Sequence, residues 1–242
     1  MACRGSLGLK HRKSQRLAFW AMLAPPFYIA TAIIATLLGP QGFKSMEHPI
    51  SQLGAPSSPR PWIIKAGFVG YAILVQGLGP LLNKEAGGGF KGKILWGLTG
   101  IYGLAGMLSA IFSKDVKDRR LFGMTHDLVH SIVGRVCFGG IMGLSLLAPF
   151  FIQKRQWKEW KQFSFLMFLL SGIMAIFYQS NSWKGRQGLL QRGFFATTML
   201  WVFVTALKMI AECMDGWGAV RFGPWGASAA GVISHSVGLD AR

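Results

Sequence analysis

Six long apolar runs constrain this chain more than any other feature of its sequence. Each holds about 17–25 mostly apolar residues, the length that an α-helix needs to cross ~30 Å of hydrocarbon. The runs are residues 17–38, 62–82, 94–112, 128–152, 163–179 and 193–211. The ten-residue alternation of a membrane β-barrel is absent from the sequence. We therefore predict an all-α fold, a bundle of six transmembrane helices in the cell (cytoplasmic) membrane.

The charge of the chain fits this prediction better than it fits nucleic-acid binding. The net charge is +17, yet only 14% of the residues are charged and 51% are hydrophobic. The Lys and Arg residues flank the apolar runs on both sides, and no helix-turn-helix or zinc-finger pattern is present. Nucleic acid is therefore not an expected partner. Anionic headgroups of membrane lipids are the expected partners of these basic flanks.

The distribution of Lys and Arg also predicts how the bundle is oriented. They are more numerous in the N-terminal tail, the second and fourth loops and the C-terminal end than in the odd-numbered loops. By the positive-inside rule, both termini are predicted to be cytoplasmic. The expected organisation is a basic tail (1–16), a six-helix domain (17–212) and a flexible tail (213–242). The first run is too long for the apolar part of a signal peptide, so we expect a retained helix.

The odd-numbered loops contain most of the unusual polar residues. Loops that alternate along a helical bundle lie at the same end of it, so these residues are predicted to converge on the outer face. His126 and His130 are four residues apart and would share one helix face, which is a common spacing for metal ligands. His48 and Asp115 would lie at the same end. Three histidines and one carboxylate would make a zinc site, with Ser51 nearby as a catalytic group.

Other interpretations of the histidines remain open. The simplest is that they form hydrogen bonds with neighbouring helices and loops, which is the interpretation that we favour. A metal or catalytic site is the second. Haem is the third and is disfavoured, because two ligands one turn apart on one helix cannot sandwich an iron.

Three further side chains are candidate ligand-binding groups. Arg135 lies within the fourth run, where a cation is costly and normally faces the bundle interior or water. It would bind a ligand, or it would pair with a carbonyl or reach the neighbourhood of Asp127 through water. Gln191 and Arg192, just before the sixth run, would form an interfacial anchor or an anion-binding corner.

Small residues in the fourth run suggest close helix packing. Gly139 and Gly143 are four residues apart, and such spacing lets two helices approach within a membrane. Packing within the same bundle is the favoured interpretation. Homodimerisation through these two glycines is the alternative.

Four motifs give the chain a family resemblance. They are residues 48–54 (HPISQLG), 112–115 (FSKD), the histidine pair at 126 and 130, and residues 188–192 (GLLQR). In this order and at these positions between the helices, they resemble an integral-membrane family known as domain of unknown function 998. The resemblance covers about residues 17–212 and implies a multi-pass membrane protein without an established activity. The Ser, Asp and His set is also loosely similar to the alkaline-ceramidase-like membrane hydrolases, which implies a zinc-dependent amidase.

Two functions follow from these observations. The first is a non-enzymatic membrane protein whose outer polar cluster binds a lipid headgroup or a small ligand. The second is a zinc-dependent lipid hydrolase, in which His48, His126, His130 and Asp115 hold the metal and Ser51 stabilises the oxyanion. A transporter is less favoured because the sequence shows no internal half-repeat.

Overall fold

The structure, a computed structural model, describes residues 3–113, 120–121, 123–180, 183 and 185–213. Seven α-helices make up most of this part of the chain. They are α1 (Cys3–Leu37), α2 (Pro61–Val75), α3 (Leu78–Glu85), α4 (Phe90–Ile111), α5 (His126–Phe151), α6 (Lys158–Ser180) and α7 (Gln187–Cys213). The other elements are the 3-10 turns Ile50–Gly54 and Arg155–Trp157 and a two-residue antiparallel pair, β1 (Arg120–Leu121) and β2 (Met124–Thr125).

Six helical spans in the described residues are long and apolar enough to cross a membrane. Each of them carries large apolar side chains on its outer surface. Examples, one from each span, are Ile33, Ile73, Leu104, Ile132, Leu169 and Leu200. Soluble monomers rarely expose apolar surface on this scale, whereas in a bilayer these side chains contact lipid tails. The chain is therefore an all-α, multi-pass membrane protein, as the sequence predicts.

The spans form a closed ring in chain order. Each span packs against the next, with α2 and α3 together forming the second span, and α7 packs back against α1. Because consecutive spans run in opposite directions, the ends of α1, α4 and α6 meet the starts of α2, α5 and α7. We call this the first-loop end of the bundle. The opposite end, where α3 ends and the 3-10 turn Arg155–Trp157 lies, is the second-loop end.

The second span is not the single continuous helix predicted over 62–82. Helix α2 ends at Val75 and α3 begins at Leu78. The cause is Pro80, which has no N–H to donate to the Gln76 carbonyl and whose ring crowds that carbonyl. The Gly79 N–H bonds to the Gln76 carbonyl instead, at 3.2 Å.

Two helices also begin earlier than their apolar runs. Helix α1 begins at Cys3, so most of the predicted tail 1–16 is helical. Helix α7 begins at Gln187 rather than near residue 193. The Gln191 and Arg192 side chains therefore project from the first two turns of a helix and not from a loop.

Hydrogen bonds between buried side chains join α6 and α7 in the interior of the bundle. Two indole N–H groups bond across α6 and α7: Trp160 to the Thr205 hydroxyl at 3.0 Å, and Trp201 to the Ser164 hydroxyl at 2.9 Å. All four side chains are buried. A buried N–H or O–H left without a partner is costly, so these bonds fix the register of the two helices.

The second-loop end is held by ion pairs. Lys154 pairs with Glu85 at the end of α3 and lies 3.7 Å from Glu212 of α7. Lys208 pairs with Glu212 at 3.1 Å, one turn apart on α7. These contacts join the second span, the turn before α6 and the last span. Charged side chains therefore link three neighbouring elements at this end of the bundle.

The glycine pair of α5 is divided between two environments. A Cβ on Gly143 would lie 3.4 Å from Leu98 Cδ1 on α4, so this glycine packs within the bundle. A Cβ on Gly139 would meet nothing within 4 Å. The favoured interpretation therefore holds for Gly143. Homodimerisation through Gly139 stays a prediction.

Candidate functional site

The first loop is bound to the start of α7 through its backbone. The N–H of Gly188 donates to the Glu47 carbonyl at 3.1 Å, and that of Leu189 donates to the Met46 carbonyl at 2.9 Å. The first N–H groups of a helix have no partner within the helix, so the loop caps them. The contact is close: a Cβ on Gly188 would lie 2.4 Å from the carbonyl oxygens of both Ser45 and His48.

Gln191 and Arg192 hold the same loop with their side chains. The buried Gln191 Oε1 accepts the Ile50 N–H at 2.6 Å. Arg192 Nη1 donates to the Ser45 carbonyl and, at 2.9 Å, to the His48 carbonyl. Both predicted ligand-binding groups thus have a positioning role. Their part in binding a ligand stays a prediction.

His48 is also part of the loop's internal structure. Its Nδ1 accepts the Lys44 N–H at 3.0 Å, and its ring lies against Phe43 with centroids 5.4 Å apart. The loop presents Ser51 one turn further along, where the side chain is buried.

The other two histidines of the predicted metal site, His126 and His130, contact the end of α4. Helix α5 begins at His126, and the Thr125 hydroxyl caps it by accepting the Leu128 N–H at 3.2 Å. His130 Nδ1 lies 2.6 Å from the Phe112 carbonyl, to which it donates. The His126 ring meets the Phe112 ring edge to face, with centroids 5.3 Å apart. These contacts agree with the favoured interpretation, in which the histidines bind neighbouring elements.

The described residues do not assemble the predicted zinc site. Within them, no group of three or more His, Cys, Asp or Glu side chains is placed to hold one metal ion. Asp115, predicted as a catalytic or ligating carboxylate, lies outside the described residues. The zinc assignment of His48, His126 and His130 therefore stays a prediction.

Four of the predicted residues do meet at one cavity. A cavity of about 140 Å³ opens among the spans at the first-loop end. Ser51, His130, Arg135 and Gln191 all contribute to its lining, although they come from three separate parts of the chain. Ser51, His130 and Gln191, from the three odd-numbered loops and their flanking helix starts, thus share one cavity, and Arg135 lines it from within α5. We call this space the polar cavity.

Tyrosines form much of the remaining polar lining, and the sequence analysis missed them. The chain has four tyrosines, and all four line the polar cavity: Tyr28, Tyr71, Tyr102 and Tyr178. They come from four different spans. The signal was available in the sequence, because a tyrosine within an apolar run carries a hydroxyl that needs a partner.

Three of the tyrosines pack together deep in the bundle. The Tyr102 hydroxyl donates to that of Tyr71 at 2.9 Å, and both residues are buried. Tyr28 packs edge to face against Tyr71, with ring centroids 5.8 Å apart. Tyr28 is 2% exposed, and within the described part of the chain its hydroxyl has no hydrogen-bond partner.

Arg135 gives the polar cavity its charge. It lies about 14 Å along α5 from His126, well inside a membrane span. Its side chain is exposed and contributes to the lining of the cavity. Among the described residues, it forms no ion pair within 4.0 Å. Neither Asp nor Glu is among the described residues that line the cavity.

The polar cavity is therefore suited to a negatively charged or acceptor-rich group. Its described polar lining offers one guanidinium and several hydroxyl donors, with no carboxylate to repel an anion. Hydrogen bonds that a charged guanidinium donates to an anion are roughly twice as strong as those between neutral groups.

Comparisons with known proteins agree with the sequence resemblance. Neither the comparison with curated proteins nor that with solved structures gives a match. The scan of family models matches residues 22–208, and the description of that family is "Protein of unknown function (DUF998)". The match spans all of the polar-cavity residues named above. Because it covers well over half of the chain, the protein belongs to the DUF998 family.

Proposed function

We propose that this membrane protein binds an anionic group in the polar cavity, supplied either by a lipid headgroup or by a small soluble ligand. Arg135 is the observation that carries the proposal. A cation this deep in a span needs compensation, and the described residues provide no carboxylate for it. A bound anion would supply the missing charge.

The surrounding donors support the same chemistry. Ser51 and Tyr178 contribute hydroxyl-bearing side chains to the lining together with Arg135. A phosphate has several acceptor oxygens and could use such donors together. A cationic ligand would instead face an unpaired guanidinium.

Binding measurements on Arg135 variants test the proposal. Purified protein is titrated with glycerol 3-phosphate by calorimetry and, in lipid nanodiscs, with phosphatidylglycerol by native mass spectrometry. Arg135→Gln should weaken binding about tenfold or more, since a charged hydrogen bond contributes about 1.5–3 kcal/mol. The control is Arg155→Gln, which removes an exposed arginine at the second-loop end.

The two probes separate the two sources of the anion. Binding of glycerol 3-phosphate indicates a headgroup-sized ligand, and binding of phosphatidylglycerol alone indicates a lipid. Wild-type protein that binds neither, or an Arg135→Gln variant that binds as well as wild type, would overturn the proposal.

A zinc-dependent lipid hydrolase is the second candidate function. The observation in its favour is that Ser51 and His130 line one cavity next to the start of α5. Metal analysis of the detergent-purified protein tests it: stoichiometric zinc that is lost in His130→Ala would support this function. Protein without zinc, or an unchanged zinc content in the variant, would exclude it.

We also propose that the first-loop end faces the outside of the cell membrane, with both termini in the cytoplasm. The Lys and Arg distribution supports this orientation. In a cysteine-free background, Trp183→Cys should react with an impermeant maleimide on intact cells. Lys158→Cys, at the other end, should react only after lysis. The reverse pattern would contradict the orientation.

A further inference from the structure

A second, larger cavity runs along the outside of the bundle between α1 and α7. It is an open groove of about 740 Å³. Most of its lining is apolar, including Ile29, Ile33, Leu200 and Phe203. Three of these four side chains are well exposed, which places the groove on the surface that faces lipid.

The length of the groove matches one leaflet of a bilayer. On α1 it extends from Pro25 to Leu37, and on α7 from Arg192 to Phe203. At ~1.5 Å per residue, both walls are about 17–18 Å long. Half of a ~30 Å hydrocarbon core is about 15 Å. The groove could therefore hold a single acyl chain of a lipid in the leaflet at the first-loop end.

The polar part of the groove lies where a headgroup would be. Ser45 and Arg192 line it at the first-loop end. The Nη1 atom of Arg192 is occupied by backbone carbonyls, as described above. Its Nη2 atom is buried without a hydrogen-bond partner within the described residues, so this atom is not open to the groove. Among the described residues Arg192 forms no ion pair within 4.0 Å, so its positive charge at the end of the groove would attract a phosphate.

We propose that this groove binds an anionic phospholipid, with one acyl chain between α1 and α7 and the phosphate at Arg192. The site is separate from the polar cavity, so it does not depend on the function proposed above. The charge at one end and the apolar length of one leaflet select this occupant over a helix of a partner protein. Tyr28, Phe195 and Met199 line both spaces and form the wall between them.

Filling the groove tests the proposal without disturbing Arg192. Ala196 lies in the lining of the groove and is exposed, so Ala196→Trp would occupy the space of the acyl chain. The matched control is Ala66→Trp, an exposed position on α2 that does not line the groove. Both proteins are purified with mixed phosphatidylglycerol and phosphatidylcholine, and the retained lipid is measured by native mass spectrometry.

The wild type and Ala66→Trp should retain one phosphatidylglycerol in preference to phosphatidylcholine. In Ala196→Trp, the amount of retained phosphatidylglycerol should be at least tenfold lower. Arg192→Gln should remove the preference for the anionic lipid. Equal retention of both lipids by the wild type, or unchanged retention in Ala196→Trp, would overturn the proposal. A second copy of the chain held at the groove would do so as well. Arg135→Gln should keep the phosphatidylglycerol that Ala196→Trp displaces. The lipid arm of the polar-cavity test is therefore carried out in the Ala196→Trp background, where the groove is filled, so the failure of either proposal is distinguishable from the failure of the other.

Discussion

Replacing Gly188 with alanine tests how tightly the first loop is bound to α7. An alanine Cβ at this position would lie 2.4 Å from the carbonyl oxygens of Ser45 and His48 and 2.9 Å from Arg192 Nη1. Contacts of a Cβ below 3.0 Å are essentially never observed. The loop would therefore have to move by more than half an ångström, although backbone hydrogen bonds and Arg192 hold it in place.

The expected cost follows from these contacts. Overpacking a tight contact costs about 1–3 kcal/mol. Movement of the loop also weakens the bonds that Gly188 and Leu189 donate, at roughly 1 kcal/mol for each bond lost. Alanine returns at most ~1 kcal/mol of helix propensity. We expect Gly188→Ala to lower the free energy of unfolding by about 2–3 kcal/mol.

The assay is reversible unfolding in mixed detergent micelles, followed by tryptophan fluorescence. The matched control is Gly97→Ala on α4, because a Cβ there would meet nothing within 4 Å. It should be neutral or stabilise by up to ~1 kcal/mol. If Gly188→Ala were as stable as Gly97→Ala, the close approach of the first loop to α7 would be refuted.

Three further changes test other parts of the fold. Glu85→Gln should lower the free energy of unfolding by about 1–3 kcal/mol, because it leaves Lys154 with a weaker partner. The same unfolding assay measures this change, and an unchanged free energy would show that the ion pair is dispensable. Tyr102→Phe should cost roughly 1 kcal/mol by removing the donor to Tyr71, and a stabilised variant would contradict this bond. Gly139→Leu should abolish cross-linked dimers in membranes if that glycine forms a homodimer, and undiminished cross-linking would exclude the interface.

The number of spans could be predicted from the sequence because a bilayer imposes a strict rule. Any backbone that crosses it must satisfy its own hydrogen bonds, as an α-helix does, and the side chains that contact lipid must be apolar over the whole span. The ends of the helices could not be predicted in this way. Helix α7 begins at Gln187, before its apolar run, because polar side chains outside the hydrocarbon do not interrupt the hydrogen bonds of a helical backbone. Hydropathy detects only the apolar part of each helix.

The break between α2 and α3 shows a different limitation. Residues 62–82 are apolar on both sides of the break, so their hydropathy predicts one helix. Pro80 was the available signal, since it removes the bond to Gln76. A proline in the first turn of a helix is well tolerated, and a proline inside a helix is not. The sequence alone does not show whether Pro80 lies inside one long helix or in the first turn of a second helix.

The candidate site was predicted in part for a topological reason. Alternating loops must lie at the same end of the bundle, so Ser51, His130 and Gln191 could be brought together without any knowledge of distances. The tyrosines could not be assigned to the cavity in this way, because an aromatic residue in an apolar run can contact either lipid or a neighbouring helix. Which side of a helix faces the interior depends on the packing of the whole ring, which a single apolar run does not reveal.

The two arginines at this end of the bundle differ in what they leave unsatisfied. The Nη1 of Arg192 is bound to loop carbonyls, so much of its charge is already used in holding the first loop to α7. Arg135 makes no such bond within the described residues, and it lies deeper in its span. An arginine near the centre of a membrane helix costs about 2.5–3.5 kcal/mol to insert. No ion pair within the described residues offsets that cost at Arg135, so the compensation must come from water in the polar cavity, from a bound anion or from snorkelling towards the interface. Of these three, only a bound anion makes binding at the cavity sensitive to Arg135→Gln, and for this reason that variant is the decisive one.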